Sequence, residues 1–196
     1  MDKILFGTYE GKEIYLYTIK NEVNFMKNKT FWLVQTALLV ALLVILQAAT
    51  KAGGQFITGS CVNAVLAVGV LTCGIASGLT VALVSPFMAF LLGIGPALIY
   101  IVPAIAVGNV VFVLLLGFLC KKALWQQVTG LVAAATAKFA ALYLLVSVLL
   151  CSILPLKPMQ IKTFQAMFSW PQLVTALIGG ALALAIVPVV KKAINN

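Results

Sequence analysis

Few residues in this sequence could do chemistry, and each is alone in apolar surroundings. Lys138, in ATAKFAALYLL, is a single cation inside an apolar run, and Asn63 (TGSCVNAVL) and Asn109 (VGNVVF) are isolated amides in two others. The acids Asp2, Glu10, Glu13 and Glu22 all fall in the first 22 positions. From Val23 to Asn196 there are ten lysines and no side-chain carboxylate, and the chain has no arginine or histidine. A cationic lysine in a cavity of such a chain has no protein counter-ion, so it would await an anionic ligand. Against this stand two plainer roles: a lysine that snorkels to the surface or is buried neutral, and asparagines that glue helices together.

The missing residue types exclude several functions. Proton relays inside a membrane are built from Asp, Glu and His, and a Ser or Cys nucleophile here would have only Lys138 as its base. No serine lies in a G-x-S-x-G context and no G-x-x-x-x-G-K-[ST] loop is present. The expectation is therefore a protein that is not an enzyme and that draws any energy for transport from a partner. Cys61, Cys73, Cys120 and Cys151 form no C-x-x-C pair. With no histidine or nearby acid, they are expected to pack as small apolar residues, with no metal and no cofactor. The net charge of +9 comes from lysines set singly or in pairs at the edges of apolar runs. That is a topology signal, unlike the clustered basic face of a nucleic-acid binder.

Long helices must position these residues. The chain is 63% hydrophobic and 9% charged, a composition for which the bilayer is the solvent. Crossing the hydrocarbon takes about 20 helical residues. Phe31 to Thr50 is the first such run, with Lys27 and Lys29 holding its start inside. Ala52 to Leu119 carries no charge before the pair Lys121 and Lys122, so three crossings fit, broken at Gly74–Gly78 and at Gly93–Pro96. One more run contains Lys138, an outer loop follows, and a last run closes inside at Lys191 and Lys192. Ser169 is the expected N-cap of that run, with Pro171 in its first turn. The expected fold is an all-α integral membrane protein of six transmembrane helices, at about 31–50, 57–77, 79–95, 97–119, 128–152 and 171–190, with both termini cytoplasmic. Lys138 then lies about 24 Å beyond Lys122 along its helix, in the outer half of the bilayer. A competing possibility is a cleaved signal peptide ending near QAAT, for which Gln47 is a poor −3 residue. The first span also carries Ala37 and Ala41, small residues four apart on one face, a spacing that admits another helix closely.

Taken together, the lysine-flanked start, the A-x-x-x-A helix, six short spans and the lack of a nucleotide site resemble the substrate-binding S component of energy-coupling-factor (ECF) transporters. The runs GQFITGSCVNAVL, SPFMAFLLGIGPALIYIVPAIAVGN and TAKFAALYLL carry the likeness, which covers about Met26 to Asn196. The resemblance implies a subunit of a bacterial cell membrane that captures a vitamin or related micronutrient from outside. It also implies docking, through Ala37 and Ala41, on a transmembrane coupling subunit carried by two ATPase subunits. The loops Lys51–Thr58, with Gln55, and Pro155–Trp170, with Trp170, would cover the pocket. No motif separates pantothenate, folate, biotin or riboflavin as the ligand.

The segment 1–25 stands apart as an N-terminal extension to the membrane domain, 26–196. ILFGTY and EIYLYTI, joined at Glu10-Gly11-Lys12, read as a hairpin and resemble the first strands of aldose 1-epimerases. No catalytic histidine or acid follows, and an isolated hairpin is marginal in water. Met26 reads as a natural start, which leaves the extension as an early-called start codon, a fusion remnant or a designed addition. The other functional classes are a small assembly or interaction protein without a ligand, and a passive channel, which the sparse polar residues disfavour.

Overall fold

A computed structural model describes residues 29–95, 98–120 and 123–194. The expected hairpin and the rest of the extension lie outside the described residues. The chain divides into two compact units, Met1–Gln35 and Thr36–Asn196. Of the first, residues 29–35 are described and are helical. The packing and the site described below lie in the second.

Among the described residues the structure is entirely helical, with no strand. The helices are α1 (29–50), α2 (Gly54–Cys73), α3 (Ile75–Leu91), α4 (Val102–Leu119), α5 (Leu124–Leu142), α6 (Pro158–Met167) and α7 (Trp170–Ile194). Short 3-10 turns, Lys51–Gly53 and Ile99–Ile101, precede α2 and α4. Beyond α5 the helix continues as a π-helical segment, Tyr143–Leu150, and a last α turn, Cys151–Ile153. Four helical stretches are long and apolar enough to cross a membrane: Lys29–Cys73, Ile99–Leu119, Leu124–Ile153 and Pro158–Ala193. The first contains α1 and α2, and α3 is an apolar helix of 17 residues.

Several boundaries differ from the sequence expectation. The break expected across Gly74–Gly78 is confined to Gly74, whose φ of +91° suits glycine alone. Ser77 and Gly78 instead start α3, and Gly78 packs where a Cβ would lie 2.8 Å from Val113 and 2.9 Å from Val70. The segment expected as an outer loop contains α6, which begins at Pro158, a residue suited to a first helical turn. Phe164 and Phe168 at its end pack with Ile101, Leu142 and Val146 in a small second core. Ser169 does precede α7, and its carbonyl accepts the Gln172 N–H at 3.0 Å. Its hydroxyl, however, turns back to donate to the Ala166 carbonyl at 2.9 Å.

Close approach of small residues sets how the helices meet, since lipid gives apolar side chains no reason to prefer one another. One such case is α2 against α7, backbone to backbone. A Cβ added at Gly179 would collide with the Ser60 carbonyl and would lie 2.6 Å from Asn63 Cβ and 2.7 Å from Ala64 N. Gly108 likewise admits Leu142 of α5 against α4, with Leu142 Cγ 2.6 Å from where a Cβ would be. The main core, including Leu43, Leu66, Val81, Phe112 and Leu116, lies among these helices. These contacts bring Asn63, Asn109 and Lys138 together.

Candidate functional site

Lys138, on α5, is buried, with 3% of its surface exposed, so it does not snorkel. Its Nζ donates to Asn63 Oδ1 at 2.5 Å and to Asn109 Oδ1 at 2.7 Å, and lies 5.3 Å from the centre of the Phe112 ring. Both amides are held with their oxygens toward the lysine. Thr175 gives its hydroxyl proton to the Gln172 carbonyl at 3.2 Å, which leaves its oxygen to accept Asn63 Nδ2 at 3.4 Å. Ser85 likewise donates to the Ala82 carbonyl at 3.4 Å and accepts Asn109 Nδ2 at 2.9 Å.

A proline explains why that carbonyl is available. Pro86 lies inside α3 and has no N–H for the carbonyl four residues earlier, Ala82. The freed acceptor takes Ser85 Oγ and, at 3.5 Å, Asn109 Nδ2. Gln47 on α1 extends the network by donating its Nε2 to the Ser85 carbonyl at 3.1 Å, while its Oε1 is buried with no partner among the described residues. Gln47, Asn63, Ser85, Asn109, Lys138 and Thr175 come from α1, α2, α3, α4, α5 and α7, and all are buried.

Above this network lies a cavity of about 330 Å³. Lys138, Asn63 and Asn109 form one part of its lining, and Gln47, Lys51, Gln55, Thr58, Gln172 and the turn Gly93–Gly95 contribute others. The volume is near the lower end for small-molecule sites. Thr58 donates to the Thr50 carbonyl at 2.8 Å and braces the turn between α1 and α2. Gln55 and Gln172 both donate to the Met167 carbonyl, at 2.6 and 3.1 Å, and so fasten the end of α6 over the cavity. Among the described residues no carboxylate lines the cavity. As an ammonium, with three donors and no acceptor, Lys138 would keep one N–H and an uncompensated charge after bonding the two amide oxygens.

Residues 32–191 match the family described as ECF transporter, substrate-specific component. The chain belongs to that family. The match spans about four-fifths of this S component, a multi-pass membrane protein and a transport subunit. Comparison with curated proteins and with solved structures finds no match.

Of the S component's five expected substrate-binding residues, Asn63, Asn109, Lys138 and Gln55 line the one cavity. Trp170 does not: it is 61% exposed, with its ring 5.5 Å from that of Phe56, on the outside of the α2–α7 contact. Ala37 and Ala41 are exposed on α1 beside exposed Leu38, Leu42 and Ile45, an apolar face that the described residues leave uncovered. Sequence reasoning missed Gln47 and Gln172, and named Lys51 and Thr58 only as the ends of the loop expected over the pocket. Gln47 carried the same signal as the two asparagines, an amide inside an apolar span, and the structure packs it in the cavity wall. Among the described residues no three His, Cys, Asp or Glu side chains come together as a metal site would need.

Proposed function

We propose that this S component captures an anionic vitamin or related micronutrient from outside a bacterial cell membrane and holds its negative group against Lys138. The observation that carries this is a buried lysine facing a cavity, with two oriented amide oxygens and, among the described residues, no carboxylate. A buried charge is stable only when paired, and the ligand supplies the pair. The amides keep the ammonium in place without neutralising it.

The topology that goes with this function has six crossings and two cytoplasmic ends. The break at Gly54 (φ +72°) within the first apolar stretch supports it by separating α1 from α2, and α3 is apolar throughout. Hydrolysis of ATP is assigned to two partner ATPase subunits, reached through a transmembrane coupling subunit. The exposed α1 face of Ala37 and Ala41 is the proposed contact with it, since small residues allow a second helix to approach closely.

The test is mass spectrometry of small molecules retained by the purified chain, followed by thermal unfolding with the identified compound added back. The expected compound is anionic and stabilises the wild type, and Lys138→Met binds it at least ~100-fold less well, as follows from losing a charged partner in a buried site. Retention of an uncharged compound, equally by wild type and Lys138→Met, would refute the assignment. A chain that binds nothing and is not stabilised would point to the assembly-protein alternative.

A further inference from the structure

We propose that Lys51 is a second ligand-binding cation, at the mouth of the cavity, and that the ligand carries two anionic groups, one for each lysine. This rests on the function proposed above and narrows its substrate class. Lys51 lines the same cavity as Lys138, whereas the two lysines of the α6 region, Lys157 and Lys162, do not. It is exposed, and its Nζ donates to the Leu92 carbonyl at 2.8 Å, just beyond the end of α3. That acceptor is neutral and leaves two N–H groups of the ammonium unused. With no acid in the lining among the described residues, the cavity presents two lysines and asks for two negative charges.

Two helices measure the gap between them. On α3, Ser85 belongs to the Lys138 network and Leu92 holds Lys51, seven residues apart and so about 10 Å along the axis. On α2, Gly54 follows the Lys51 turn and Asn63 holds Lys138, nine residues apart and so about 13 Å. Allowing ~3 Å for a hydrogen bond at each end, about 4–7 Å is left between the two anionic groups. In an extended chain of about 1.2 Å per bond, that is roughly three to six bonds. Glutarate and adipate sit in the middle of this range, succinate and pimelate at its ends, and sebacate is too long.

The experiment uses the full chain, purified with what it retains. The retained compound is identified by mass spectrometry and then displaced by succinate, adipate, pimelate, sebacate and the single-charge control octanoate. The expected compound has two anionic groups, and displacement is strongest with adipate and weakest, among the diacids, with sebacate. Lys51→Met should weaken retention about 5-fold, the ceiling for an exposed ion pair, and Lys51→Arg should restore it. The affinity for octanoate itself, measured by its direct binding to the emptied protein, should be the same in wild type and Lys51→Met. Because Lys51 is exposed, the variant is expected to fold, and elution as the wild-type monodisperse species checks that. A singly charged retained compound overturns the proposal, as does Lys51→Met retaining as much as wild type while Lys138→Met loses its hold; in that last case the assignment of Lys138 stands. If Lys138→Met also retains as wild type does, the proposed function fails and this inference with it.

Discussion

Replacing Asn63 with aspartate tests the charge logic of the site by giving Lys138 the counter-ion the chain withholds. The substitution keeps size and puts a carboxylate where Asn63 Oδ1 now lies, 2.5 Å from Nζ. At an effective dielectric of about 20, that pair gains about 6 kcal/mol of Coulomb energy. Burying the new carboxylate costs several kcal/mol, so the net change in stability is small. The bond lost, Asn63 Nδ2 to Thr175 at 3.4 Å, is long, and the Thr175 hydroxyl can rotate from the Gln172 carbonyl to donate to the aspartate. An anionic ligand now meets a second negative charge about 5 Å away, a repulsion of about 3 kcal/mol, or roughly two orders of magnitude in affinity. Equilibrium dialysis of the compound released from wild type, with thermal unfolding of the empty protein, separates the two effects. The expected result is an unfolding temperature within a few degrees of wild type and binding about 100-fold weaker. Unchanged binding would mean that no ligand charge sits at Lys138, and tighter binding would mean that the ligand is a cation.

Gly179→Ala should destabilise the protein by about 1–3 kcal/mol, as overpacking does, although alanine in a helix ordinarily stabilises. The new Cβ meets α2 backbone and Asn63 Cβ, so binding of the retained compound should also fall at least ~10-fold; unfolding measurements showing a gain in stability would contradict the α2–α7 contact. Ala37→Trp changes only the exposed face of α1 and should leave binding of the retained compound as in wild type while abolishing co-purification with ATPase subunits. Co-purification at wild-type levels would move the coupling contact elsewhere.

How far the sequence leads can be judged residue by residue. The membrane setting follows from sequence because it depends on composition and on runs of about 20 apolar residues, which are local quantities. The A-x-x-x-A face is also local, a matter of helical spacing alone. Lys138 stood out for want of any acid after Glu22, a property of the whole chain that needs no fold. The break at Gly74 is legible only to within a few residues, because two glycines there, Gly74 and Gly78, permit it and only packing selects one. Helix α6 is hard to read because ten residues with one lysine and two glutamines give a weak periodic signal, and Phe164 and Phe168 anchor it in the second core.

Composition and local pattern establish a basic helical membrane protein, acid-free after Glu22, with one cation out of place. What that cation touches depends on the fold. The partners of Lys138 lie 75 and 29 positions away in the chain, and no periodicity within one helix can reveal which helices meet. That choice belongs to Gly179 and Gly108, which let backbones approach, and to Pro86, which frees the carbonyl that orients Asn109. The same distinction removed Trp170 from the cavity and brought in Gln47 and Gln172. A residue's type is fixed where it stands in the chain, whereas its neighbours are fixed by which surfaces can close on one another.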